Sequence, residues 1–148
     1  MQTIGYQMCD RDFYIFEDNN EFFVKEGKKR YKVELNNRLF RFAVDTIQFL
    51  GTLPEKKEFN VFRYQLSKSA TSIGANYEEA QGGVSSKDFA HKIGICLKEA
   101  KETNYFFRVI NALHIGDRSV CERLTDEADQ LQRIFGSILV KFKQNRNM

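Results

Sequence analysis

A row of basic side chains in the third quarter of the chain is the pattern with the clearest chemical potential. A helix advances about 100° per residue, so a helix here would align Lys87, His91, Gly94, Lys98, Lys101, Tyr105 and Arg108 in one stripe. Glu102 flanks this stripe without interrupting it. Cations interleaved with an aromatic ring suit a nucleic-acid backbone. The alternative is an ordinary solvated helix face, in which Lys98 pairs with Glu102 at i,i+4.

Other basic residues would extend this stripe. Arg133 and Lys141 lie in the predicted fourth helix, Lys143 and Arg146 in the tail, and Lys28-Lys29-Arg30 near the amino terminus. The net charge of +3 is mild, so the location of the charge matters more than its sum. The side chains predicted to bind nucleic acid are Lys87, His91, Lys98, Lys101, Tyr105 and Arg108.

Three apolar residues of the same segment point to a second surface. The predicted core stripe comprises Phe89, Ile93, Cys96, Ala100 and Phe107. Ile95, Phe106 and Val109 lie outside that stripe. Apolar groups on a second face often mark a partner surface, and fourteen phenylalanines are many for 148 residues. These three residues therefore predict an oligomer interface.

Motifs of catalysis and metal binding are missing from the sequence. It contains no Walker loop and no dinucleotide fingerprint. Three widely spaced cysteines form no CxxC pair. Asp88 and His91 give a weak three-residue spacing on one helix, whereas a di-metal bundle requires Glu-x-x-His on its helices. We expect a protein without enzymatic activity, metal or cofactor, with reduced thiols.

The pattern of apolar residues predicts four helices, which position the basic stripe. They run from about Val33 or Glu34 to Leu50, from Glu55 to Glu79, from Ser85 or Ser86 to Leu113, and onward from Ser119. Pro54 is expected near the first turn of the second helix, and Ser119 with Glu122 forms a capping-box pattern. The predicted fold is all-α, an antiparallel up-down four-helix bundle over residues 34–143, with a small N-terminal extension and a frayed tail at 144–148.

Small and polar residues in the predicted second and third helices indicate close packing. Gly74 lies within a helix, where glycine costs about 1 kcal/mol against alanine, so it is expected at a tight helix contact. Ser69, Ser72, Asn76 and Thr103 or Asn104 would face inward or toward a neighbouring helix. They predict either a polar pocket or interhelical hydrogen bonds that fix the helix register.

Residues 1–33 differ from the rest of the chain. Two aromatic and β-branched runs, at residues 13–16 and 22–24, flank the turn-forming Asp18-Asn19-Asn20. This pattern is typical of a β-hairpin. The alternative is a disordered extension, because an isolated hairpin is marginal in water.

The amino-acid sequences of two segments resemble those of a known protein family. Residues 67–80 read SKSATSIGANYEEA, and residues 87–103 read KDFAHKIGICLKEAKET. From about Val33 to Phe142 the chain is similar to the four-helix-bundle proteins encoded in 23S rRNA intervening sequences, and to the related Avd accessory proteins of diversity-generating retroelements. The resemblance implies a ring-like homo-oligomer, typically a pentamer. It also implies association with rRNA gene insertions, or an accessory role beside a nucleic-acid enzyme such as a reverse transcriptase.

The apolar segments and the amino terminus bear on localisation. No apolar run approaches the roughly 20 residues that span a bilayer, and the amino terminus lacks a basic-then-apolar signal pattern. We therefore expect a cytoplasmic protein without a membrane partner. The functional hypothesis is a non-enzymatic oligomer that presents a basic surface to RNA or DNA. The alternative is an oligomeric protein-interaction scaffold that does not bind nucleic acid.

Overall fold

The computed structural model describes the backbone of residues 21–147 and the side chains of residues 30–147. The chain divides into two units between Leu35 and Asn36, and the four-helix bundle is the unit that begins at Asn36. The described residues form four long helices: α1 (Glu21–Leu50), α2 (Asn60–Gln81), α3 (Ser86–Leu113) and α4 (Arg118–Arg146). A short 3-10 helix, Lys57–Phe59, precedes α2. The predicted all-α four-helix architecture is confirmed.

Cross-helix contacts show that α3 runs antiparallel to both α2 and α4. Toward α2, Cys96 Sγ lies 3.4 Å from the Ile73 carbonyl oxygen, whereas Thr103 bonds Ser69, earlier in α2. Toward α4, the Asn104 amide donates to the Thr125 carbonyl at 3.1 Å, and the Phe107 carbonyl pairs with the Cys121 thiol. Short connections between consecutive helices favour this arrangement.

Aromatic rings join the helices across the core. Phe107 of α3 meets Phe42 and Phe49 of α1 edge-on, with ring centroids 6.4 Å and 5.7 Å apart. Tyr77 of α2 lies 6.0 Å from Phe135 of α4. Such pairs add about 0.5–1.5 kcal/mol each beyond the burial of their area. Ring contacts therefore join α1 to α3 and α2 to α4.

The polar residues predicted to face inward form interhelical and local hydrogen bonds. The hydroxyls of Ser69 and Thr103, both fully buried, lie 2.8 Å apart between α2 and α3. The Asn76 amide donates to the carbonyl and hydroxyl oxygens of Ser72, at 2.8 and 2.9 Å. The prediction of an interhelical hydrogen bond that fixes helix register is confirmed by the contact between Ser69 and Thr103.

The amino-terminal prediction requires a correction. Residues 13–16, the first predicted strand, lie outside the described residues. Phe22–Val24, the second predicted strand, lies inside α1, which begins at Glu21 rather than near Val33. The run from Val24 to Lys32 contains five lysine or arginine residues, and these side chains form helices readily. Helix propensity prevails over the strand signal of Phe22–Val24, because an alternation of three residues is too short to indicate a strand. The predicted turn, Asp18-Asn19-Asn20, lies outside the described residues.

Two predicted helix starts are also corrected. Pro54 precedes the second helix, and its carbonyl accepts hydrogen bonds from Lys56 N at 2.8 Å and from Arg63 Nη2 at 2.9 Å. The cap of α4 is Asp117, whose carboxylate accepts from Val120 N at 3.1 Å, instead of Ser119. Glu122 pairs with Arg118 at 3.0 Å. Aspartate caps a helix as well as serine does, and Asp117 takes the role that the sequence assigned to Ser119.

The close approach of α1 to Gly74 gives a test of the helix packing. A Cβ at Gly74 would lie 3.6 Å from Leu39 Cβ, which is an ordinary contact. We expect Gly74→Ala to be tolerated, with up to about 1 kcal/mol gained from helix propensity. Gly74→Leu should lower the free energy of unfolding by about 1–3 kcal/mol, because its larger side chain overpacks against α1. Urea denaturation measures both changes.

Gly136→Ala is the matched control, because a Cβ there meets nothing within 4 Å. It should be neutral or stabilising. A Gly74→Leu variant that is more stable than the wild type would contradict the packing of α2 on α1.

The buried hydroxyl pair between α2 and α3 gives a second test. Thr103→Val leaves the Ser69 hydroxyl without its partner, which should cost about 1–3 kcal/mol in the free energy of unfolding. Adding Ser69→Ala removes the orphaned hydroxyl, so the double variant should lose less than the sum of the single losses. Urea denaturation of the three variants measures this coupling. Additive losses would show that the two hydroxyls do not interact.

Candidate nucleic-acid interface

The basic stripe lies on the outer face of α3, and the cap of that helix fixes where it begins. Ser85 adopts extended backbone, and its hydroxyl accepts from Asp88 N at 3.1 Å, as predicted for the helix start. Asp88 in the first turn also faces the positive end of the helix dipole. From this start the helix runs without a break to Leu113, so the register of its two faces is constant.

The structure places every predicted nucleic-acid-binding side chain in solvent. The exposed residues of the stripe are Lys87, His91, Lys98, Lys101, Tyr105 and Arg108. The opposite face of α3 is fully buried and comprises Ile93, Cys96, Ala100, Thr103, Phe107 and Ile110. At about 1.5 Å per residue, the cations from Lys98 to Arg108 span about 15 Å of the helix. These six side chains are thus exposed on α3, and their role in binding nucleic acid remains a prediction.

Tyr105 lies within the stripe and is held by its neighbours. Its side chain is 54% exposed. The guanidinium carbon of Arg108 lies 5.8 Å from the centre of the tyrosine ring, a cation–π distance. The ring of Phe106 meets the Tyr105 ring at 5.5 Å and 71°. The stripe therefore presents a positioned aromatic ring as well as charge.

Acidic residues border the stripe on the side of α2. Glu99 and Glu102 are both half-buried. Burial, followed by the charge of Glu102, raises the pKa of Glu99, while Lys68 and Lys98 act in the opposite direction. Lys92 of α3 pairs with Glu79 of α2. This mixed border limits the uninterrupted positive surface to the outer face of α3.

The basic residues predicted to extend the stripe differ in their exposure and in their ion pairs. Arg133 pairs with Asp129 at 2.9 Å within α4. Lys141 is half-buried, and burial lowers its pKa. Lys143 and Arg146 are exposed in the last turns of α4, which the antiparallel register brings to the same end of the bundle as Lys87. The side chains of Lys28 and Lys29 lie outside the described residues.

The residues predicted to form an oligomer interface are half-buried. Ile95, Phe106 and Val109 each retain partial exposure. The ring of Phe106 packs against Phe62 of α2, with centroids 6.3 Å apart. Part of the apolar surface that the sequence assigned to a partner is therefore used in the contact between α2 and α3. Contact between their remaining exposed surface and another copy of the chain remains a prediction.

A more exposed apolar surface lies on α1 and was missed by the sequence analysis. Phe40 is 69% exposed, Ile47 45% and Val44 39%. Their spacing of four and then three residues aligns them on one face of the helix. The spacing of Phe40, Val44 and Ile47 could have indicated this surface. The buried residues Leu39, Phe42 and Thr46 of the same helix form a more prominent pattern.

A shallow cavity of about 210 Å³ lies between the carboxyl end of α1 and the start of α4. Its charged lining residues, Asp45 and Arg123, pair with each other at 3.0 Å. Within the part of the chain that the structure describes, no group of three His, Cys, Asp or Glu side chains could hold a metal ion. The cavity therefore offers no constellation typical of acid–base or metal-assisted catalysis.

The two described thiols are also poor nucleophiles. Burial raises the pKa of Cys96 to about 12 and that of Cys121 to about 11. Both residues are buried in the core. Since the thiolate is the reactive form, neither group is suited to covalent chemistry near neutral pH.

None of the described helices combines the length and apolar character needed to cross a bilayer. Among the described residues, the cationic face of α3 is the candidate functional site, and the apolar face of α1 is a second surface.

Comparisons with known proteins agree on one family. The sequence profile of the 23S rRNA-intervening sequence protein family matches residues 31–137, more than half of the chain. No curated protein matches the chain. Among solved structures, the bundle is similar to a protein of unknown function from the S23 ribosomal protein family of Bacteroides thetaiotaomicron. The two are 30% identical with a TM-score of 0.63, over 70% of this chain and 96% of the other. The chain belongs to the family of 23S rRNA-intervening sequence proteins.

Proposed function

We propose that this chain is a non-enzymatic, cytoplasmic accessory protein that self-associates and presents the outer face of α3 to RNA or DNA. The observation that carries this proposal is the segregation of charge on α3. Its exposed face holds Lys98, Lys101 and Arg108, while its opposite face is fully buried. These cations serve no core contact, so they are available to a ligand.

Phosphate chemistry fits this arrangement. A nucleic-acid backbone is a regular row of negative charges, and each lysine or arginine that neutralises a phosphate releases condensed counterions. Contacts to phosphates position a protein without reading the bases. We therefore expect binding with little sequence preference and with strong dependence on salt.

Self-association would make a weak contact effective. In a homo-oligomer the stripe occurs once in every subunit, and linked weak contacts reinforce one another when geometry allows them to bind together. The resemblance to the family and to Avd proteins favours a pentamer, with a partner such as a reverse transcriptase. The exposed apolar face of α1 and the remaining exposed area of Ile95, Phe106 and Val109 supply two candidate contact surfaces.

A protein-interaction scaffold is the second candidate function, and the α1 face favours it. Phe40 is 69% exposed in the single chain, and large apolar side chains grouped on one face are typical of protein contacts. In this function the oligomer binds another protein through apolar contacts, and the α3 stripe serves only solubility. Apolar contacts do not share the steep salt dependence of phosphate binding.

Charge reversal on α3 tests the nucleic-acid function. The triple variant Lys98→Glu, Lys101→Glu and Arg108→Glu should stay folded, because all three side chains are exposed. Its affinity for a mixed-sequence RNA should fall at least about tenfold, and the slope of log affinity against log salt should flatten by about 0.7–0.9 per lost phosphate contact. Fluorescence anisotropy over a salt series measures both quantities.

The matched control reverses three exposed cations elsewhere: Arg41, Lys56 and Lys57. It changes the net charge equally, so it should reduce affinity much less if the α3 stripe is the site. Equal losses in the two triple variants would indicate non-specific attraction to total charge. Absence of binding by the wild type at about 50 mM salt would favour the scaffold function.

Light scattering tests self-association. At micromolar concentration the purified protein should have a mass several times that of the 17.4 kDa chain. Phe40→Asp should reduce that mass if the α1 face forms the contact, because it places a charge in an apolar interface. Val109→Asp should do so if the surface of Ile95, Phe106 and Val109 forms it. Val84→Asp is the control, since Val84 lies in the loop before α3 and is 97% exposed. A monodisperse monomer would refute self-association.

A further inference from the structure

A continuous series of aromatic contacts connects the start of α2 to the basic stripe. Phe59 stacks on Phe62, with centroids 6.1 Å apart and ring planes at 26°. Phe62 meets Phe106 edge-on at 6.3 Å, and Phe106 meets Tyr105 at 5.5 Å. Phe62 is only 8% exposed, whereas Tyr105 is 54% exposed. The series therefore runs from the half-buried Phe59 through the buried Phe62 and ends in an exposed ring among cations.

This series restricts the position of Tyr105. An exposed tyrosine normally samples several rotamers, and fixing them on binding costs entropy. Here the ring is in contact with Phe106 before any ligand arrives, and Phe106 is itself held against Phe62. Ordering before binding increases affinity, because less freedom is lost when the ligand is bound.

Arg108 completes the geometry. Its guanidinium carbon lies 5.8 Å from the centre of the Tyr105 ring, and both side chains are exposed. Aromatic rings and guanidinium planes are the protein surfaces on which unpaired bases stack. In a duplex each base face is already stacked on its neighbours, so a ring on an outer helix face has nothing to stack against without disrupting the duplex.

We propose that Tyr105, together with Arg108, stacks an unpaired base, so that the α3 surface takes single-stranded nucleic acid in preference to duplex. The proposal rests on the proposed function, in which the same stripe binds phosphates, and adds a class of substrate to it. Lys98 and Lys101 bind the backbone, and Tyr105 is the residue that distinguishes single strands from duplexes. RNA and DNA single strands share the required base faces.

The test compares a single strand with a duplex of equal length. Labelled mixed-sequence oligonucleotides are titrated with the 148-residue protein at about 50 mM salt. The three probes are a single-stranded RNA, a single-stranded DNA and a DNA duplex. Tyr105→Ala should lower the affinity for both single strands at least about fivefold, the lower range for losing one base stack. It should leave duplex affinity unchanged. Tyr105→Phe retains the ring and should bind as the wild type does.

Tyr64→Ala is the matched control. Tyr64 is 65% exposed and lies on α2, outside the stripe. Its replacement should change neither the affinity for single strands nor the affinity for duplex. A single-stranded probe containing 2-aminopurine adds a direct signature of stacking. Its fluorescence should change on binding to the wild type and to Tyr105→Phe, and should change less on binding to Tyr105→Ala at saturation.

The outcomes separate the two proposals. A wild type that binds duplex as tightly as single strands, or a Tyr105→Ala variant that binds single strands as tightly as the wild type, would overturn the stacking role alone. Equal losses of single-strand and duplex affinity in Tyr105→Ala would also overturn it. A wild type that binds none of the probes would overturn the proposed function, and this inference with it.

Discussion

The buried face of α3 is the constraint on which the rest of the structure depends. Phe107 contacts α1 through Phe42 and Phe49. Thr103 bonds Ser69 of α2, and Asn104 donates to a carbonyl of α4. One helix thus contacts all three others, and it does so with residues that lie along one side. Because side chains around a helix are fixed relative to one another, placing that side in the core determines which residues face solvent.

The functional proposal follows from this geometry. Cations on separate loops would align only if each loop became ordered. A packed helix aligns its cations as a consequence of folding. The cap at Ser85 and the buried hydroxyl pair fix the start and register of α3. The Phe59–Phe62–Phe106 contacts extend the same rigidity to an exposed ring. Preorganised charge and a preorganised ring are what a weak, sequence-tolerant nucleic-acid surface requires.

The sequence predicted those features that depend on periodicity over many residues. The two faces of α3 and its start at Ser85 or Ser86 were predicted correctly, because a long amphipathic pattern and a serine cap agree there. Single-residue signals were less reliable. Serine and aspartate are comparable as caps, and the observed cap is Asp117 rather than the predicted Ser119. Pro54 suits a first helical turn but lies before the helix, where its carbonyl accepts from Arg63.

Features that depend on tertiary neighbours could not be predicted from the sequence. Phe106 was read as unpartnered because nothing in the sequence shows that Phe62 lies beside it. Phe40 and Ile47 resemble core residues by type, and only the arrangement of the bundle shows that they are exposed. The contact of Arg108 with the Tyr105 ring depends on rotamers, which sequence spacing permits but does not determine.

Lysine acetylation footprinting by mass spectrometry would locate the nucleic acid on the wild-type protein. The labelling rate of each lysine is compared with and without a saturating mixed-sequence single strand. We expect Lys98 and Lys101 to become protected while the exposed Lys56 and Lys57 are labelled as before. Protection of Lys56 and Lys57 with unchanged labelling of Lys98 and Lys101 would contradict the assignment of the site to α3.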